Sequence, residues 1–170
     1  MHPNQYLTIA KTGDEILTLT ATPVTVFDDN LAALAHKMLL TMQQANGVGI
    51  AATQVFSRAA MFIMASNPNE RYPDAPVMVP TVVINPKILS ASSATEMGIE
   101  GCLSIPGKRL SIARHSQIEV QYQSLDGQLQ QQVLQGFVAR IFQHEYDHLQ
   151  GITLLERTCL MSPQPEVMPC

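Results

Sequence analysis

The sequence has no tryptophan, few other aromatic residues and few charged ones. Phe and Tyr make up 5% of the 170 residues and Asp, Glu, Lys and Arg 14%, whereas 46% are hydrophobic. The formal net charge is −4, which argues against a protein that coats nucleic acid or anionic membrane by bulk attraction. We therefore expect a globular protein with a sparsely charged surface and no nucleic-acid or membrane partner.

No segment has the pattern of a signal peptide or a membrane span. Residues 1–13 lack a basic region followed by an apolar run. Residues 38–57 carry no charge, but their glutamines, asparagine and glycines make them too polar to cross a bilayer. The length suits one domain. We expect a single cytoplasmic domain over residues 1–170, with a flexible tail from about residue 156.

Cysteine is also scarce, and its odd number argues against a disulfide framework. Cys159 and Cys170 lie in the tail, and we assign them no role. Cys102 differs, because Gly101 precedes it and the Pro106-Gly107 turn follows, so that a thiolate could be held rigidly at a strand end. The alternative is a buried structural cysteine.

The strongest chemical pattern is a His-Glu-x-x-His sequence. Apolar residues at helical spacing predict a helix over about 137–149, and Gly151 falls where a left-handed C-terminal cap is expected. On this helix His144 and His148 lie on one face and can bind one metal ion, while Glu145 projects beside them as a general base. The alternative is a pair of ordinary surface histidines, and a third ligand would decide between the two.

The remaining chain predicts one more helix and several strands. An N-cap at Asp28 or Asp29 and apolar residues at helical spacing predict an amphipathic helix of about 29–45. Pro86 is expected to stop a strand, Asp126-Gly127 indicates a hairpin turn, and the proline-containing segment 66–80 is typical of a surface loop. The predicted strands cover residues 58–65, 81–85, 117–124, 128–134 and 152–155.

Cys102 adds a third ligand to the two histidines and leaves one position open, which is the arrangement of a catalytic metal site. The cation would lower the pKa of a water in that position, and Glu145 would take its proton. The small-residue segment 47–54 ends in a glutamine that could donate to a developing oxyanion, although a packed turn is the alternative. Together these features describe metal-assisted hydrolysis of a carbonyl compound.

Three segments resemble the signature motifs of peptide deformylases, in their usual order. They are Gly-Val-Gly-Ile-Ala-Ala-Thr-Gln at 47–54, Glu-Gly-Cys-Leu-Ser at 100–104 and Gln-His-Glu-Tyr-Asp-His-Leu at 143–149. The similarity covers about residues 6–155. It implies an α+β fold in which antiparallel β-sheets pack around a central His-Glu-x-x-His helix, with an N-terminal amphipathic helix. It also implies removal of the N-formyl group from the formyl-methionine of newly synthesised peptides, with release of formate.

The resemblance implies a role for each matching residue. Cys102, His144 and His148 would bind the metal, and Glu145 would act as general acid and base. The amide of Gln54 and the backbone N–H of Leu103 would stabilise the oxyanion. The expected ion in the cell is Fe(II), with Zn(II), Ni(II) or Co(II) as substitutes, and the spacing of the ligands does not choose among them. The expected substrate-binding residues are Gly47, Gly49, Ile50, Ile141 and Arg109, the last having a solvated surface charge as its alternative.

Other interpretations stay open at this point. The best-studied bacterial deformylases end in a long basic helix that docks on the ribosome, whereas here Arg157 is the sole basic residue among the 19 that follow Gly151. Ribosome docking by that route is therefore in doubt. A metalloprotease of the zincin type is the nearest rival, although its third ligand normally follows the helix. A metal-stabilised peptide-binding module without turnover is the non-catalytic alternative.

Overall fold

The computed structural model describes residues 5–161, which form three α-helices and seven β-strands. The helices are α1 (Asp29–Gln44), α2 (Gly136–Leu149) and α3 (Leu154–Met161). Two short 3-10 helices cover Glu15–Thr18 and Ala52–Val55. The strands are β1 (Gly49–Ala51), β2 (Met61–Met64), β3 (Thr81–Ala91), β4 (Thr95–Cys102), β5 (Ile105–His115), β6 (Gln117–Gln123) and β7 (Leu129–Gln135).

The strands form two antiparallel sheets. One has five strands in the order β1-β2-β3-β6-β7, and the other is the hairpin of β4 and β5. This confirms the predicted α+β class with antiparallel sheets. Within the described residues, no helix is both long and apolar enough to cross a bilayer.

The larger sheet is covered on both faces in its first half. Met61 and Ile63 of β2 pack towards α1, whereas Phe62 and Met64 pack towards α2. Because successive strand residues point to opposite faces, a strand buried on both sides must be apolar throughout. The sequence Met-Phe-Ile-Met satisfies this requirement. Phe62 also meets Phe142 of α2 edge to face, with ring centroids 5.0 Å apart.

Two caps fix the ends of the helices. The Asp28 side chain accepts a hydrogen bond from the Leu31 N–H at 3.0 Å, an N-cap of the kind that contributes about 1 kcal/mol. After α2, Gly151 has a φ of 75°, and a Cβ there would lie 2.5 Å from the Thr18 carbonyl oxygen. The left-handed conformation and the close approach both favour glycine at this predicted cap position.

The structure corrects the predicted end of β3. The strand continues past Pro86 to Ala91, because its pairing with β6 shifts register between Ile84 and Lys87. Asn85 has a φ of 50° at this irregularity, and its side chain hydrogen-bonds to the backbone of Val24. Proline is tolerated at a bulge because the ladder hydrogen bond that it cannot donate is already missing there.

The C-terminal part also differs from expectation. The predicted strand at 152–155 is wrong, since α3 begins at Leu154 and is preceded by a Thr153 whose N–H donates to Glu156 at 2.7 Å. Residues 156–161, expected in a flexible tail, are helical, and the rest of the predicted tail lies outside the described residues. Strands β4 and β5 were not among the predicted strands, although Cys102, which was expected at a strand end, does end β4.

Candidate active site

Three candidate metal ligands meet between β4 and α2. Cys102 ends β4, and His144 and His148 lie one turn apart on α2, so that one ligand atom of each lies within 4.8 Å of the others. The Cys102 sulfur is 3.3 Å from Nε2 of His148. Cys102 and His148 are buried, and the His144 side chain is 11% exposed. One thiol and two imidazoles at this separation fit a single tetrahedral metal ion with an open position.

The electrostatic environment favours the thiolate form of Cys102. Burial alone would raise the pKa of this thiol, but the positive charge of His148 and hydrogen bonds from both histidines hold it well below its usual range. The thiolate is the form of cysteine that binds a cation. These contacts therefore favour the form of Cys102 that can act as a ligand.

Glu100 orients the His144 ring by contacting the nitrogen that faces away from the other two ligands. Its Oε2 lies 2.9 Å from Nδ1 of His144, which leaves Nε2 to face the other two ligands. Arg114 binds both oxygens of the same carboxylate at 2.9 and 3.0 Å, and Arg140 adds a bond of 2.8 Å. Although burial would raise the pKa of Glu100, His144 and Arg114 hold it far below its usual range. Glu100 is therefore ionised, and each of its two oxygens has two hydrogen-bonding partners.

A second carboxylate extends this network to α3. Arg114 also donates to Asp147 of α2 at 2.6 Å, and Asp147 is bound in turn by Arg157 of α3, whose Nε donates at 2.9 Å. Arg114 and Asp147 are 5% and 6% exposed. Buried charges of this kind are tolerated only when paired and hydrogen-bonded, as they are here. The network joins β4, β5, α2 and α3 around the ligands.

Glu145 faces the ligand cluster and is unusually basic. It is 4% exposed, and its Oε2 has no hydrogen-bond partner among the described residues. Burial raises the pKa of this carboxyl to about 7, even though the two neighbouring histidines lower it. A group with a pKa near neutrality can both accept and release a proton under ordinary conditions.

The side-chain amide of Gln54 donates hydrogen bonds beside the candidate ligand Cys102. Its Oε1 accepts from the Ala51 N–H at 2.9 Å, and this bond turns Nε2 towards the Cys102 sulfur at 3.5 Å and the Ser104 hydroxyl at 3.0 Å. The 3-10 helix Ala52–Val55 holds the residue, which is 1% exposed. An N–H donor is therefore fixed beside the ligands.

Comparison with known proteins identifies a family whose members carry out the hydrolysis expected from the sequence motifs. Residues 6–164 match the polypeptide deformylase family. The chain belongs to the peptide deformylase family. It is 57% identical over 166 residues to a protein named peptide deformylase 2 from Shewanella oneidensis, a match that covers 98% of this chain and 91% of the relative. Membership confirms the predicted class of metal-dependent hydrolase that removes the N-formyl group from nascent peptides.

Solved structures of other deformylases agree with the fold. A class I type b peptide deformylase from Acinetobacter baumannii, bound to Met-Ala-Ser, has a TM-score of 0.87 at 48% identity and covers 89% of this chain and 98% of its own. A peptide deformylase from Thermotoga maritima has a TM-score of 0.81 at 39% identity, covering 89% of this chain and 97% of its own.

The deformylase cleft contains most of the residues that the sequence singled out. A cavity beside the ligands is lined by Gly49, Gln54, Cys102, Leu103, Ile141, His144 and Glu145. Ile50 is an exception, because strand alternation turns its fully buried side chain towards α1 and away from the cleft. A substrate contact at Ile50 can come only from its backbone. Gly47 and Arg109 also lie outside the lining, and His148 joins the ligand cluster from behind it without lining the cavity.

Several deformylase residues near the cleft were not found from the sequence. Glu100, Arg114 and Asp147 support the ligands, and Arg71 and Tyr72 of the segment 66–80 line the cleft. The Tyr72 hydroxyl accepts a hydrogen bond from the Gly101 N–H at 2.9 Å. Glu100 and Asp147 stand inside the recognised motifs, and their position beside ligands was the available signal. The three other residues carry no such signal.

Proposed function

We propose that this chain deformylates formyl-methionyl peptides with Cys102, His144 and His148 as the ligands of one divalent ion. The observation that carries the proposal is the convergence of three kinds of group within one cleft. They are the three ligand atoms within 4.8 Å of one another, the carboxyl of Glu145 and the side-chain amide of Gln54. When bound, the ion supplies Lewis acidity towards water and the formyl carbonyl.

The ion in the cell is proposed to be Fe(II), with Zn(II), Ni(II) or Co(II) able to replace it. One thiolate and two imidazoles suit all four of these cations, so the donor set is consistent with each of them. Glu100 contributes by holding the His144 ring with a 2.9 Å contact, since a carboxylate at this position fixes the tautomer that binds a cation.

Glu145 is proposed to move the proton. With a pKa of about 7, it can take a proton from the attacking water and then release it to the departing amine of the peptide. Its unpartnered Oε2 is free to make the required hydrogen bond. The side-chain amide of Gln54 and the backbone N–H of Leu103 are proposed to donate to the oxygen of the formyl group as negative charge develops on it.

The peptide is proposed to bind along β1. Within the described sheet, β1 pairs with β2 alone, so its other edge is available for an added strand. Val48 and Gly49 lie in the cleft wall, while Ile141 and Phe137 of α2 offer apolar surface for the methionine side chain. The Met-Ala-Ser bound to the Acinetobacter relative supports this class of ligand. Arg109 is proposed to meet the peptide further from the ligands.

The alternatives are weaker for stated reasons. In a zincin the third ligand follows the helix, whereas Cys102 precedes α2 and lies on β4. A buried carboxyl with a pKa near 7 beside the ligands is typical of a catalytic site, and a binding module without turnover would not require it. A cytoplasmic location is proposed because nascent formyl peptides are made there.

The test is formate release from formyl-Met-Ala-Ser by anaerobically prepared protein, with metal content measured on the same sample. Glu145→Gln should keep the ion and lose about a hundredfold or more in kcat, because only the proton transfer is removed. Glu119→Gln, on the surface of β6, is the matched control and should behave as the unchanged protein. A fully loaded protein that releases no formate, or that cleaves casein instead, would contradict the proposal.

A further inference from the structure

A basic groove adjoins the active-site cleft. Its volume is about 460 Å³, and its lining includes Lys11, Arg71, Lys108 and Arg109 but no acidic residue. This concentration of positive charge occurs in a chain whose formal net charge is −4, so it does not follow from composition. Like charges gathered at one place repel one another, and such an arrangement is typical of a surface that binds anions.

The groove and the cleft are continuous. Arg71, Cys102 and Leu103 line both of them. The Arg71 guanidinium lies against the end of β4, where a Cβ on Gly101 would be 2.6 Å from its Nη2. Lys11 reaches the same place from the N-terminal segment, and its Nζ donates to the Leu103 carbonyl at 2.8 Å. A peptide that leaves the ligand cluster in this direction passes these cations first.

The side chains of the four cations form no ion pair within the part of the chain that the structure describes. Among residues 5–161, every ion pair involves Glu100 or Asp147, and none includes a member of the basic groove. Two of the cations are instead held on one aromatic ring, since the guanidinium carbons of Arg109 and Arg71 lie 4.9 and 5.7 Å from the centre of Tyr72. Arg109 also donates to the Arg71 carbonyl at 2.7 Å. These contacts therefore fix the positions of the Arg71 and Arg109 guanidinium groups without pairing them with a carboxylate.

We propose that the basic groove binds carboxylate side chains of the substrate, two to four residues after the methionine, and so selects nascent peptides with an acidic beginning. The inference rests on the proposed deformylation. An extended chain advances about 3.3 Å per residue, so residues at these positions leave the cleft and reach the groove. Arg71 and Lys108 are specificity-determining residues in this scheme, because they meet the substrate away from the reacting atoms.

The test compares two isosteric peptides, formyl-Met-Ala-Asp-Asp-amide and formyl-Met-Ala-Asn-Asn-amide. The amide end removes the C-terminal carboxylate, so that a preference must come from the side chains, and the free-acid form of the Asn peptide measures the terminal carboxylate separately. We expect the KM for the Asp peptide to be about three- to tenfold lower, with kcat within about twofold, since exposed charge pairs contribute modestly each. At about 1 M salt, where the Debye length is ~3 Å, the ratio should approach one.

Two variants assign the effect to the groove. Lys108→Gln and Arg71→Gln should each lower the ratio of the KM for the Asn peptide to the KM for the Asp peptide by about two- to threefold, because each removes one of the four positive charges of the groove. Lys87→Gln removes an exposed charge on β3 outside the groove and is the matched control, with an unchanged ratio. The ratio is the readout because it cancels any general change in activity.

Each contrary result has its own meaning. Equal KM values for the Asp and Asn peptides in the unchanged protein would overturn the inference while leaving deformylation intact. A preference for the Asp peptide that persists in both groove variants would also overturn the inference, since another surface would then bind the acidic side chains. Absence of formate from both peptides, with the metal site filled, would instead refute the proposed function itself.

Discussion

Gly49 of β1 lies so close to Glu145 of α2 that a Cβ on the glycine would be 2.2 Å from Oε1 and 2.7 Å from the carboxyl carbon. A glycine at this position leaves a space that a larger residue would fill with its own side chain. In the structure, the space at Gly49 is taken by the side chain proposed to move the proton. The first motif therefore limits where the Glu145 side chain of the third motif can lie.

The substitution Gly49→Ala should misplace Glu145. The added methyl forces the carboxyl to move by about 1 Å, and a misplacement of that size lowers catalysis by about a hundredfold. We expect kcat for formate release to fall by this factor while the metal content is unchanged, because Cys102, His144 and His148 are not touched. Steady-state kinetics and metal analysis on one sample check both parts.

Gly13→Ala is the matched control for this prediction. A methyl at Gly13, which has a φ of 103°, meets nothing within 4 Å, so it introduces backbone strain without contacting Glu145. Its melting temperature can fall slightly, but its kcat should not. A Gly49→Ala protein with full activity would show that Glu145 tolerates displacement, and this would count against its proposed role.

Glu100→Gln should weaken both the metal site and the fold. Only one end of the amide can accept hydrogen bonds, so it cannot serve Arg114 on both sides and the Nδ1–H of His144 together, and a guanidinium that is 5% exposed loses a carboxylate partner. We expect metal affinity to fall about 10- to 100-fold. The free energy of unfolding should fall by about 3 kcal/mol, as when a buried ion pair is broken. Competition with a chelator and urea denaturation measure the two effects.

The comparison for Glu100→Gln is Glu96→Gln on the same strand. The Glu96 side chain is exposed, and Arg140 contacts this residue through its backbone carbonyl, so the substitution removes charge without removing a buried partner. It should alter neither quantity by more than about 0.5 kcal/mol. If both variants lost metal affinity equally, general charge near β4, and not the contact with His144, would be the cause.

The sequence was sufficient for the parts of the site that depend on local spacing. His144, Glu145 and His148 occupy adjacent turns of one helix, so their spacing along the chain predicts their geometry directly. Cys102 was recognised through its own motif. Its meeting with α2 depends on tertiary structure, so the sequence could suggest it only through the chemistry of the three ligands and the resemblance to a family.

The supporting network was beyond prediction for a physical reason. Arg114 lies 14 residues from Glu100 and 33 from Asp147, and arginine is a residue that is usually exposed. The same residues explain why β4 and β5 were not recognised as strands from the sequence. Their buried positions include Glu100, Cys102 and Arg114, so the two strands lack the apolar alternation by which strands are recognised.

Removal of the metal ion should lower the melting temperature strongly, because the ligands join β4 to α2. An ion present at about 1,000 times its dissociation constant stabilises the native state by ~4 kcal/mol. For a domain of this size, that corresponds to a decrease of about 10 °C when a chelator is added. Scanning calorimetry with and without chelator measures the difference.

Two variants show whether this decrease comes from the proposed ligands. Cys102→Ser should have a low melting temperature that no longer responds to chelator, since the thiolate that anchors the ion is gone. His36→Gln, which changes an exposed histidine on α1, should respond as the unchanged protein does. An equal response in Cys102→Ser would place the stabilising ion elsewhere, and the three-ligand assignment would then be wrong.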